Sequence, residues 1–319
     1  MLARALNQLH PVPRSDILIG LHEPDDAAVV EVPAGKVMVH TVDFFRSFID
    51  DPYVFGQVAA NHSLGDIFAM GAEAQSALAI ATVPYGLEAK VETSIREMMA
   101  GAIGVLNEAG ATLVGGHTSE GPELALGFSV NGLADRETIL HKGGMAAGDV
   151  LILTKALGTG TLFAADMQQK AKGRWIEGAL KSMVQWNRQA AQCLFDHGAS
   201  ACTDITGFGL VGHTVEMTKA SGVDVEIDLD SLPVLDGAQE TVGIGILSSL
   251  QPANVRLRRA IRNLNEAREH ERYPLIFDPQ TSGGLLASLP AERVQSCLRV
   301  LHDLLLAHAL LAERLERAE

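Results

Sequence analysis

The 319-residue sequence predicts an α+β chain in two domains. At about 100–200 residues per domain, the length suits two units. Strand-like and helix-like patterns mix without the steady alternation that marks one doubly wound sheet. The pattern also restarts after the turn Gly148-Asp149, where VLILTK opens a new strand. The boundary is therefore placed near residue 148, giving domains 1–148 and 149–319.

The elements follow in order. Lys36 to Asp43 is β-branched and bounded upstream by Pro33, Ala34 and Gly35, which predicts a strand. Asp51-Pro52 marks a helix start, and apolar residues recur at helical spacing from Val54 to Met70, stopping at Gly71. Ser76–Val83 is a strand closed by Pro84. A long helix runs from Glu88 to Glu108 and ends at Gly110. Ala111–Val114 is a short strand that leads into a glycine turn, Gly115-Gly116-His117-Thr118. Leu124–Leu133 alternates as a further strand. In the second half, a Gly-rich turn spans Thr206 to Gly212, and Val223–Ile227 reads as a strand. Asp278–Gly284 is a polar turn leading to LLASL, and Val294–Glu319 reads as helix-rich. No low-complexity linker or fixed-period repeat interrupts the chain.

Composition narrows the function. The net charge is −14, and no Lys/Arg cluster offers a broad nucleic-acid surface. The three cysteines, Cys193, Cys202 and Cys297, form no Cys-x-x-Cys pair, which argues against a disulfide framework or a structural zinc site. The first sixteen residues are too polar for a signal peptide. No apolar run reaches the about 18–20 residues that span a bilayer. A cytoplasmic protein without membrane partners is expected.

Four features carry candidate chemistry. In Glu23-Pro24-Asp25-Asp26-Ala27-Ala28-Val29, adjacent aspartates before a strand put two hard oxygen donors at a turn, as magnesium prefers; a plain Asx turn after proline is the simpler reading. Asp43 ends an apolar strand, where a charge is costly to bury without a partner; it suits a metal or nucleotide position, or a cap. Asp66 lies in the predicted helix four residues after His62, so the two share a face, as a directed pair or a local surface one. In Thr203-Asp204-Ile205-Thr206-Gly207-Phe208-Gly209, glycines before a helix let backbone amides approach phosphate, with Asp204 placed to hold a metal; glycine turns are common, so the glycines alone say little. Gly116, His117 and Thr118 form a similar turn. Neither a Walker A pattern nor a Rossmann fingerprint after a strand is present, so any ATP site uses another architecture.

Taken together and in order, DDAAV, TVDFF, DDPYVFGQVAAN, GDIFAMG, LVGGHT, GDVLILTKALGTG, TDITGFGLVGH and FDPQTSGGLL resemble the selenide, water dikinases. These belong to the aminoimidazole ribonucleotide synthetase-like (PurM-like) superfamily. The resemblance covers nearly the whole chain, and its last two motifs are the most specific. It implies two α+β domains: an N-terminal domain that pairs through a β-barrel-type dimer interface, and a C-terminal α/β sandwich. It implies a reaction taking ATP, selenide and water to selenophosphate, AMP and phosphate, with Mg²⁺. Asp26, Asp66 and Asp204 match metal positions. Glu23, Pro24, Asp25, Asp43, Asp66, Gly116, His117 and Thr118 match nucleotide-contact positions. The partners implied are ATP, selenide and a second copy of the chain.

The sequence departs from the family in places. Gly65 stands where Ser is usual, and His62 where Asn is common. Family members carry an N-terminal Gly-rich loop with a reactive Cys or selenocysteine and a catalytic Lys. Here no Cys precedes Cys193 and the first Lys is Lys36, so no catalytic residue is assigned. Some family members are fused behind a flavin-containing oxidoreductase, and this chain could be such a portion. Two other readings stand beside the enzyme: a catalytically silent nucleotide-binding or dimerisation module, and a related ATP-dependent enzyme acting on a purine or thiamine precursor.

Overall fold

A computed structural model of the chain describes residues 8–21, 27–304, 309–312 and 315–317. The chain divides into two compact units, Met1–Ile139 and Leu140–Glu319.

The first unit is built on a four-stranded sheet. Strands β1 (Ile17–Ile19) and β2 (Val29–Val30) form a small antiparallel ribbon beside it. The main sheet has the order β3 (Lys36–Arg46), β6 (Ala125–Asp135), β4 (Glu73–Pro84), β5 (Thr112–Gly121). Strand β6 pairs antiparallel with both neighbours, while β4 and β5 run parallel. A parallel pair needs a crossover, and the helix α2 (Glu88–Ala109) supplies it.

Helix α1 (Pro52–Ala69) begins where the sequence signals it. The side chain of Asp51 accepts a hydrogen bond from the Val54 amide at 3.1 Å, and Pro52 occupies the first turn. Between Val58 and Ala69 every residue is buried except His62 and Asp66. The helix is covered on its other sides because α2 crosses it at very short range. A Cβ on Gly56 would sit 1.9 Å from the Met98 carbonyl oxygen, and one on Gly101 would sit 2.0 Å from that of Tyr53. Glycines on both helices make that approach possible.

Helix α2 ends at Gly110 in the left-handed conformation, φ 80°. The N-terminal segment is tied there. Asn107 accepts from the Val12 amide at 2.7 Å and donates to the His10 carbonyl at 2.9 Å. Arg14 donates to the Gly110 carbonyl at 2.7 Å, placing a cation at the negative end of the helix dipole. The same guanidinium donates to both oxygens of Asp16, at 2.9 and 2.8 Å, and holds that carboxyl well below its ordinary range, at about 2.

The second unit carries an antiparallel sheet of order β11 (Ala309–Ala312), β7 (Val150–Leu153), β10 (Leu285–Leu289), β8 (Ala201–Asp204). Residues 140–148 lead into β7 and bond within this unit. The Cys202 amide donates to the His141 carbonyl at 2.9 Å, and the Ser221 hydroxyl accepts from the amides of Gly144 and Met145. Asp149 closes the turn before β7 by accepting from Ser200 and Ser288 at 2.7 and 2.9 Å. Helices α3 (Thr159–Met167), α4 (Gly173–Val184), α5 (Arg188–Asp196), α6 (Gly209–Ser221) and α7 (Ala291–Asp303) surround the sheet. Leu151, Leu153, Leu210, Met217, Phe277 and Leu286 lie at the centre of the core.

Two expectations are corrected. The glycine turn Gly115–Thr118 is strand: β5 continues unbroken to Gly121, its residues paired with β4 from Leu78 to Pro84. Parallel pairing holds Gly116 extended, where an isolated reading of two glycines suggests a loop. The tail is not helical to its end. After α7, β11 pairs with β7, and β12 (Leu315–Arg317) pairs with β9 (Val223–Val225). An otherwise unpaired edge of β7 has a row of backbone donors and acceptors that this tail satisfies, which outweighs the helical propensity of its Leu, Ala and Arg residues.

Candidate functional site

On β3, alternate residues face opposite sides of the sheet. Thr41, Asp43 and Phe45 face α1 and are partly buried, while His40, Val42, Phe44 and Arg46 are exposed. The two positions of α1 that escape burial, His62 and Asp66, meet this row. The Thr41 hydroxyl donates to Asp66 Oδ2. His62 Nε2 lies 3.8 Å from Asp43 Oδ1, and its ring packs edge-on against Phe45 at 5.1 Å between centroids. Asp43 and Asp66, singled out separately from the sequence, thus share one cluster. Burial, and then the charge of Asp66, push the Asp43 carboxyl up to about 6. Two carboxylates whose charges oppose each other in a half-buried setting are relieved by a cation, and their hard oxygens suit magnesium. The sequence pairing of His62 with Asp66 misses the partner on β3, because that contact crosses from helix to strand.

The outer face of the same sheet is apolar at its centre. Val42 and Leu78 both lie opposite Ser129, and Phe44 and Ile80 both lie opposite Gly127. These four side chains are 36–59% exposed. His117 lies opposite Ile80 on β5 and extends this row, while Gly116 and Thr118 sit at the alternate positions. Glu23, Pro24, Asp25 and Asp26 lie outside the described residues.

In the second unit, Asp204 is the last residue of β8 and is 7% exposed. The turn after it is tied by His213, whose Nε2 accepts from the Thr206 amide at 3.1 Å. The glycines here serve mostly to let chains pass. Gly209 has φ 66°, and a Cβ there would lie 2.8 Å from the Phe277 carbonyl carbon. A Cβ on Gly283 would lie 2.0 Å from the Ile205 carbonyl oxygen. Gly207 has open space around it, so it is the glycine of this turn not used for packing. Cys202 is buried, and burial pushes its thiol up to about 12.

The polar turn at Asp278 carries no recognisable chemical signal in the sequence. Gln280 Oε1 accepts from the amides of Gly158 and Thr159, and Asp278 Oδ2 accepts from the Gly160 amide at 3.0 Å, so the turn caps α3 from a distance in sequence. Asp278 is fully buried and pushed up to about 7. Lys155 is 2% exposed, donates to the Ser282 carbonyl at 3.0 Å, and is pushed down by burial to about 7. A separate cleft lined by Arg174, Trp175, Gly237 and Glu271 contains none of the residues singled out from the sequence.

Residues 24–134 match the AIR synthase related protein, N-terminal domain, and residues 146–309 match its C-terminal domain. The chain is 37% identical over 318 residues to the selenide, water dikinase of Caldanaerobacter subterraneus subsp. tengcongensis, covering 100% of this chain and 91% of that protein. It is 36% identical over 310 residues to that of Nitratidesulfovibrio vulgaris, covering 94% and 86%. The chain belongs to the selenide, water dikinase family. Solved structures share the fold of this dikinase family at lower identity. Thiamine-monophosphate kinase from Stenotrophomonas maltophilia K279a superposes with a TM-score of 0.74 at 19% identity, covering 100% of this chain and 93% of that one. The hydrogenase maturation protein HypE in complex with ATP gives 0.68 at 17%, covering 92% and 80%. The two-domain, PurM-like α+β architecture expected of the dikinase family is therefore established.

Proposed function

We propose that this chain catalyses magnesium-dependent phosphoryl transfer from ATP to selenide, forming selenophosphate, AMP and phosphate. The observation that carries this reading is identity to named selenide, water dikinases along the whole chain. The Asp43–Asp66 cluster supports it, because its paired carboxylates fit the donor set a phosphate-bound magnesium needs. Asp26, Asp66 and Asp204 would hold the metal. Glu23, Pro24, Asp25, Asp43, Gly116, His117 and Thr118 would contact the nucleotide. Bound magnesium would neutralise the charge that builds on the transferring phosphate. Asp66 is held in orientation by the Thr41 hydroxyl. His62, packed edge-on against Phe45, stands beside Asp43 in the cluster.

The exposed rows Val42–Leu78 and Phe44–Ile80 support a homodimer formed through the outer face of the N-terminal sheet. Burying such a row on a second copy removes apolar surface from water. A cytoplasmic location fits a protein acting on ATP, and among the described residues no helix is long and apolar enough to cross a membrane.

One observation favours a second reading, a nucleotide-binding module without turnover. All three cysteines are buried, and none lies before Cys193, so the described chain offers no accessible thiol for selenide. Selenide-dependent AMP formation separates the two. The measurement is made on this chain alone, and again with a segment carrying the family's Cys and Lys joined at its N-terminus. AMP formation in either form supports the dikinase, whereas nucleotide binding with no AMP in both supports the silent module. Nucleotide binding unchanged in EDTA would overturn the metal scheme for either.

A further inference from the structure

Cys193 and His197, one turn apart on α5, meet Cys297 of the distant helix α7 in the second unit. Cys193 lies in the buried face of α5 with Ala190 and Leu194, and His197 caps the same helix one turn later. Cys297 lies in the buried face of α7 with Val294 and Leu301. Cys193 Sγ is 3.8 Å from Cys297 Sγ and 3.7 Å from His197 Nδ1, and all three ligand atoms lie within 4.8 Å of one another.

The two separations from Cys193 Sγ have the size of the edges of a tetrahedral zinc site. With zinc–sulfur bonds of about 2.3 Å and a zinc–nitrogen bond of about 2.0–2.1 Å, tetrahedral angles give sulfur–sulfur edges of about 3.8 Å and sulfur–nitrogen edges of about 3.5–3.6 Å. Soft thiolates with imidazole select such a thiophilic cation over magnesium. We propose that Cys193, His197 and Cys297 form a zinc site, with a fourth position left for water, that clamps α5 to α7. Zinc uptake replaces two S–H bonds by two zinc–sulfur bonds and releases both protons to solvent. Without metal, His197 Nδ1 donates to the Cys193 carbonyl at 2.7 Å. Coordination through Nδ1 moves that proton to Nε2 by exchange with solvent. Burial raises both thiols above their ordinary range, so they stay protonated until a cation replaces the protons. The nearby charge of Asp196 adds to the attraction for a cation.

The test uses the full chain, reduced and stripped of metal, titrated with Co²⁺ and then with Zn²⁺ against a chromophoric chelator. The thiolate-to-cobalt charge-transfer band reports sulfur ligands alone, so a cation held by carboxylates elsewhere does not register. The expected result is one Co²⁺ per chain with that band, displaced by Zn²⁺, and a higher melting temperature for the zinc form. Cys297→Ser and His197→Gln should each weaken binding by at least tenfold, and Cys202→Ser should leave it unchanged. His197→Gln changes a partly exposed side chain, so it keeps the test usable if Cys297→Ser fails to fold. No charge-transfer band, equal binding in His197→Gln, or oxidation to a Cys193–Cys297 disulfide in place of metal uptake would each overturn the assignment.

Discussion

At the scale of single residues, the chain holds several ionisable groups where burial opposes their charge. Asp278 and Lys155 are the clearest, both pushed to about 7 from opposite directions. For Asp278 the folded form keeps its proton to a higher pH than the unfolded one, so stability falls as pH rises from about 4 to about 7. For Lys155 the folded form loses its proton earlier, so the part of stability lost at neutral pH returns as pH rises from about 7 to about 10. Urea unfolding across this range should show Asp278→Asn flattening the acid limb and Lys155→Met flattening the alkaline limb. A wild-type curve that is level from pH 4 to 10 would contradict both. Asp66 belongs to a different class, because its value lies in the ligand it would hold. Asp66→Ala should reduce Mg²⁺-dependent ATP binding by more than the roughly 10–100-fold typical of losing an outer-shell partner, read by calorimetry. Asp43 was legible in the sequence as a charge after an apolar run, although β3 does not end there but continues to Arg46. Its partners Thr41 and His62 were not, since no spacing in the chain links a strand position to a helix position.

At the scale of elements, the crossing of α1 and α2 depends on two glycines set against carbonyl oxygens. Gly56→Ala and Gly101→Ala should each push the helices apart, at a cost of about 1–3 kcal/mol, since the shortest contacts at both positions are to backbone carbonyls. A chemical denaturation midpoint that stays at the wild-type value in either variant would refute this packing. Asn107 is a second joint. Replacing it by Ala removes the partner of the Val12 amide and of the solvent-accessible His10 carbonyl, and should cost about 0.5–1.5 kcal/mol and raise hydrogen exchange at Val12. The helices were readable from punctuation, with Asp51-Pro52 opening α1 and Gly110 closing α2. The length of β5 is not legible at its glycines because it is set by pairing with β4, a contact between strands separated in the chain by the whole of α2. The glycines after Asp204 raise an expectation of phosphate binding, whereas Gly209 admits the Phe277 backbone and Gly212 the Phe208 side chain, which leaves only Gly207 open.

At the scale of the whole molecule, the apolar centre of the outer sheet face is a property of four strands together. If this face joins two copies, Phe44→Asp with Ile80→Asp should convert a dimer to monomers in analytical ultracentrifugation without changing the circular dichroism spectrum. A monomeric wild-type protein at micromolar concentration would refute the dimer. The sequence by itself determined the fold class, the two-domain plan, most element boundaries and the family, because periodicity, caps and ordered motifs are local records of structure. It also marked Asp43 and Asp66, since each stands out among apolar neighbours. Only the tertiary structure decided that these two share a cluster, that the Gly115–Thr118 segment is strand, that the tail returns to the edge of β7, and that Cys193 and Cys297 touch beside His197. Each of those depends on contacts between segments distant in the chain, and such contacts are fixed by packing and by pairing of backbone groups that no local pattern encodes.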